Sequence, residues 1–167
     1  MGLLRISIIA ILVTANLVFG IPDWLNPGCS PYPVRALAYS FFHASWWHLA
    51  VNSRAVWTVY KKGKTSEAIT ELAVAYIIAS LVYPLSFRPV IGFSNILYAT
   101  LGLRTPPLSS RWWKSTPVII FGLVTVGMAV IPSVSATTHI AAFALGVGRA
   151  GAKRLIKSLT DDARRYY

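Results

Sequence analysis

Ser94, His139, His48 and Asn52 are the residues of this chain whose types suit one another for chemistry. Ser94 stands in Gly92-Phe93-Ser94-Asn95, where the glycine permits a tight entry into a following helix. A serine hydroxyl becomes a nucleophile when an imidazole within hydrogen-bond reach takes its proton. The free N–H groups of a helix N-terminus can stabilise the oxyanion that attack creates. His139, after Ser135-Ala136-Thr137-Thr138, can supply the imidazole. His48 and Asn52 are four apart and share a helix face. Together they can donate to one oxygen, each such donor typically worth about 3 kcal/mol in the transition state. Each residue also has a plainer reading: a serine bonded back to its own helix, a histidine capping a loop, two polar groups binding interfacial water. His43 reads as structural, bonding a nearby backbone carbonyl.

These side chains sit close to the ends of apolar runs. Of 167 residues, 55% are hydrophobic and 13% charged, with mean hydropathy +0.57. A soluble domain carries about 25% charged residues, so the chain reads as a membrane protein. A polar residue in lipid is costly and marks function by default. The net charge of +11 would suggest nucleic acid in a soluble protein. Here the basic residues lie between apolar runs, which favours membrane orientation and, for the tail from Lys153 to Arg165, anionic lipid. Cys29 is the single cysteine, so no intrachain disulfide forms. No metal-ligand spacing or glycine-rich phosphate loop occurs, and no cofactor or metal is expected.

The pattern predicts an all-α membrane protein with six spanning segments in one domain over 1–167, its core about 35–150 and a basic tail about 153–167. The segments run from about Leu3 to Phe19, Ser45 to Tyr60, Ile69 to Leu85, Ser94 to Leu103, Thr116 to Ile131 and Thr137 to Ala152. The first can alternatively be read as a signal peptide ending at Gly20. Basic residues concentrate at Lys61, Lys62 and Lys64, at Arg104, Arg111 and Lys114, and beyond Arg149. By the positive-inside rule both termini face the cytoplasm. Segments two, four and six then run inward, and their first turns bring His48, Asn52, Ser94 and His139 near the outer face.

The fourth segment rises only about 15 Å, half the hydrocarbon thickness. It must lie inside the bundle, with irregular chain from Tyr83-Pro84 to Pro89 above it. Irregular backbone at that depth survives against protein or a water-filled cavity. A wet pocket with Ser94 at its floor follows. Ala142, Gly146 and Ala150 form a small-residue stripe for close helix contact, which lets His139 approach Ser94. Arg54 lies in segment two, where a lone cation costs about 3 kcal/mol. Counting from the turn at Lys62-Gly63 predicts an ion pair with Glu71, against the alternative of snorkelling to the interface. Trp46, Trp47, Trp112 and Trp113 fit interfacial anchoring.

At these residues the chain resembles the rhomboid intramembrane serine proteases, from about Arg35 to Ala150. His43, His48 and Asn52 look like the family's second-helix pattern, Gly92-x-Ser94 with Tyr98 and Gly102 like its nucleophile helix, and His139-Ile140-Ala141-Ala142 with Gly146 like its sixth helix. The resemblance implies a Ser94–His139 dyad with no acidic third member, and an oxyanion site from the Ser94 N–H, His48 and Asn52. It implies that Tyr98 stacks on His139, and that substrates are transmembrane proteins with a helix that unwinds near its outer end. Small residues at the cut would be preferred. It also implies a gate from the fifth helix and the loop near Ile131-Pro132. Three positions depart from the family pattern. Asn95 replaces a glycine, tightening the oxyanion pocket or adding a donor to it; Ala142 replaces another; and a tryptophan-arginine pair is present only as Val34-Arg35. The competing functions are a catalytically inactive relative that binds membrane helices, which commonly lacks Ser or His, and a small transporter or channel subunit. The latter needs a polar path through both faces, whereas the inner halves of segments four and six are nearly all apolar.

Overall fold

The computed structural model describes residues 1–25, 32–61, 63–85, 91–106, 118–123 and 136–164, and among them there is no strand. The first helix, α1 (Gly2–Phe19), follows from a mostly apolar run, interrupted by Arg5 and Asn16, and stops at Gly20, whose φ of 60° ends the helical path. A short α2 (Tyr32–Ala38) leads through a 3₁₀ turn at Tyr39–Phe41 to α3 (Trp46–Val59). Ser45 caps α3 by accepting the His48 N–H at 3.1 Å. Next come α4 (Thr65–Val82), a 3₁₀ turn at Tyr83–Leu85, α5 (Ser94–Leu103) and α6 (Ala136–Ala163). Residues 118–123 are helical.

Among the described residues two stretches, Gly2–Phe19 and Thr65–Leu85, are long and apolar enough to cross a membrane by length and composition. The α5 bounds agree with the fourth predicted segment. The sixth helix runs eleven residues further than expected, because Lys153–Ala163 contains no helix breaker; the basic tail begins as helix. The fifth predicted segment lies largely outside the described residues, as do Trp112, Trp113 and the Ile131-Pro132 loop. Trp46 and Trp47 are exposed, as interfacial anchors require.

Every residue of α5 from Asn95 to Gly102 is buried. A ten-residue helix cannot satisfy its ends against lipid, and enclosure by protein solves that. Its closest neighbour is α6. A Cβ on Gly102 would collide with the Phe143 carbonyl oxygen, and one on Gly146 with that of Ala99. Ala142, Gly146 and Ala150 are all buried, so the small-residue stripe is the contact surface.

The end of α5 remote from Ser94 is tied by polar bonds. Arg104 donates to Glu71 Oε2 through Nε (2.9 Å) and Nη2 (2.6 Å) and to the Val59 carbonyl, and its guanidinium lies over the Tyr60 ring. The Tyr60 and Thr100 hydroxyls bond at 2.9 Å, and Arg154 donates to the Thr105 carbonyl. The expected Arg54–Glu71 pair is therefore corrected: Glu71 pairs with Arg104, and Arg54 is exposed. Leu49, Asn52 and Val56 form the buried face of α3. Position 54, two residues from Asn52, points about 200° around the helix from it.

Candidate active site

Ser94 is the first residue of α5, capped by Phe93. Its approach is set backbone by backbone: the Gly92 N–H donates to the Tyr39 carbonyl at 3.1 Å, and the Phe93 N–H donates to His43 Nε2 at 3.4 Å. Gly92 has φ of 125°, a region closed to other residues without strain. A Cβ there would also lie 2.7 Å from His48 Cε1 and 3.3 Å from Asn52 Nδ2. The glycine thus brings two side chains of α3 against the entry to Ser94.

His139, in the first turn of α6, is buried, with Nε2 2.7 Å from Ser94 Oγ. With the neutral imidazole's proton assigned to Nδ1, the serine hydroxyl donates to Nε2. Tyr98, one turn after Ser94, packs its ring on His139, centroids 4.7 Å apart, tilted at 56° rather than stacked flat. Phe121 backs Tyr98 edge-on and stacks on Phe143, so the imidazole leans on a chain of aromatic contacts.

Asn52 is buried, and its Nδ2 meets no acceptor among the described residues. A buried donor left unpaired costs about 1–3 kcal/mol, so its presence close to the entry to Ser94 needs a reason. The chemistry the arrangement allows is attack by Ser94, proton transfer to His139, and stabilisation of an oxyanion by Asn52, His48 and the first N–H groups of α5.

Asn95 stands elsewhere. Its Nδ2 donates to Tyr39 Oη at 3.0 Å, and that hydroxyl donates to the Ala79 carbonyl at 2.9 Å. Its amide donor is committed to a brace between α5, the Tyr39 turn and α4, which corrects the expectation of an added oxyanion donor. His43 is buried; burial first, and the neighbouring His48 second, hold its imidazole down at about 4. Its ring meets His48 in a T-shaped arrangement, centroids 5.1 Å apart, and its backbone partner is the Phe93 N–H rather than the expected carbonyl. Tyr39 and Asn16 belong to no motif, yet both touch this network. The signal for Asn16 is a polar side chain inside an apolar helix. Among the described residues no group of three or more His, Cys, Asp or Glu can hold a metal ion.

The Rhomboid domain profile matches residues 31–152, more than two thirds of the chain. The chain belongs to the rhomboid family. It is a membrane protein accordingly. No curated protein matches it. The rhomboid span takes in Ser94, His139, His48, Asn52 and Tyr98, while α1 precedes it.

Proposed function

We propose that this rhomboid-family protein is an intramembrane serine endopeptidase that cuts transmembrane segments. Ser94 Oγ attacks the scissile carbonyl carbon while His139 Nε2 takes the hydroxyl proton. The tetrahedral oxyanion is held by His48, Asn52 and the Ser94 N–H. Collapse expels the amine, which leaves with the proton from His139, and an acyl-enzyme remains. Water, activated by the same imidazole, hydrolyses the ester and restores Ser94. The observation that carries this reading is the 2.7 Å contact between Ser94 and His139. The unpartnered Asn52 donor supports it, and an inactive helix-binding relative would have no use for one.

By family resemblance, substrates are membrane proteins whose helix unwinds near its outer end, and the fifth helix admits them. Loop charge supports both termini in the cytoplasm and a site opening outward. The test is proteoliposomes of the wild type and Ser94→Ala with a single-pass substrate. Cleavage by the wild type alone supports the nucleophile, and equal cleavage by both excludes it. Labelling of Ser94 by a fluorophosphonate, lost in His139→Ala, tests the dyad.

A further inference from the structure

Asn16 is on α1, ahead of the span that matches the family. Its side chain makes a two-point clamp on the turn that precedes α3. Oδ1 accepts the His43 backbone N–H at 2.9 Å, and Nδ2 donates to the Phe41 carbonyl at 3.1 Å and to Leu12 of its own helix at 2.7 Å. Two bonds to residues 41 and 43 set both the position and the tilt of that turn. The His43 ring is carried by the turn. Its Nε2 receives the Phe93 N–H, one residue before Ser94, and its ring packs against that of His48. An Nε2 that accepts needs the imidazole neutral, with its proton on Nδ1.

We infer that Asn16 is a positioning residue: through His43 it holds the turn entering the nucleophile helix and the His48 ring, so that α1 is part of the catalytic apparatus. The inference rests on Ser94 being the nucleophile. A reacting group is useful only when held near its productive geometry by supporting bonds, and a shift of about 1 Å from a remote change costs on the order of a hundredfold in rate. Asn16 touches neither Ser94 nor His139, so its effect must pass through His43. It also gives α1 a role that cleavage after Gly20 would abolish.

The experiment compares wild type, Asn16→Ala, Asn16→Gln and Ile8→Ala in proteoliposomes. Cleavage, fluorophosphonate labelling of Ser94 and hydrogen exchange over residues 92–95 are each followed well below the melting temperature. Asn16→Ala lowers kcat and the labelling rate roughly ten- to hundredfold while KM stays within about twofold, and exchange at the Phe93 amide quickens. Asn16→Gln keeps an amide on the helix but displaces it, and gives the same kcat loss with a smaller drop in melting temperature. Ile8→Ala, a packing deletion on the same helix, lowers the melting temperature and leaves kcat alone. In a His43→Ala background Asn16→Ala has no further effect on kcat. Unchanged kcat and unchanged Phe93 exchange in Asn16→Ala, or losses that simply add to those of His43→Ala, would overturn the inference. If Ser94→Ala cleaves like wild type, the protease reading falls separately. The exchange arm then decides alone: faster exchange in Asn16→Ala upholds the linkage, and unchanged exchange removes it.

Discussion

The two ends of α5 are built on opposite plans. At the end remote from Ser94, inner on the proposed topology, Arg104 has a carboxylate, a carbonyl and an aromatic face, and Tyr60, Thr100 and Thr105 are bonded as well. At the Ser94 end, outer on the proposed topology, Asn52 presents a buried donor with no acceptor among the described residues, and Gly92 takes a left-handed conformation against His48. Satisfied polar groups rigidify a structure; unsatisfied ones cost stability and persist where something else depends on them. Ten residues of helix thus join an end organised for stability to the end that carries the proposed nucleophile.

The sharpest way to break this contrast is Asn52→Ala. If the outer end is held ready for an oxyanion, kcat falls roughly a hundredfold or more, while the melting temperature holds or rises because an unpaired donor has gone. A fall in melting temperature without a rate loss would make Asn52 structural and erase the distinction. Gly102→Ala strikes the contact shared by both ends. The collision with the Phe143 carbonyl should cost about 1–3 kcal/mol of stability, read as a lower melting temperature in detergent, and slow Ser94 labelling together with it. Glu71→Gln addresses the inner end alone. Its half-exposed ion pair predicts a loss of about 1 kcal/mol with Ser94 labelling unchanged, whereas Arg54→Gln changes neither.

A separate prediction concerns pH. Burial lowers His43 from its usual 6.5 to about 4 in the fold. The unfolded chain therefore binds this proton first, and stability rises with pH across that interval. The stabilising term is complete above about 6.5 and is lost as pH falls toward 4. Melting curves over that range should show the decline in the wild type and a flatter profile in His43→Gln. Equal slopes would detach His43 from the acid sensitivity of the outer end.

Much of the site was legible because its residues break the local pattern. Ser94 follows a glycine at the head of a helix too short to face lipid, and His48 and Asn52 interrupt an apolar face at helical spacing. The Ala142, Gly146 and Ala150 stripe announced a close helix contact, and α6 makes one. Arg54 misled because depth along two antiparallel helices is countable from the turn between them, while the rotation of each about its axis is not. Asn95 misled in the same way: its place next to Ser94 says nothing about which neighbour its amide faces. Tyr39 escaped notice because an aromatic residue in an apolar stretch is an ordinary core residue until its hydroxyl is seen bonded to the Ala79 carbonyl.

The order of residues by itself determined that this is a helical membrane protein, with a short buried helix headed by Ser94 and a later helix headed by His139. Composition, run length and glycine placement are local properties, and they act before any two helices meet. Which cation answers Glu71, that Asn95 braces Tyr39, and that Asn16 reaches across to the His43 turn were decided only on packing. Those partners lie 25 or more residues apart in the chain, and their meeting depends on the rotation of each helix, which is set by the summed contacts of every helix around it.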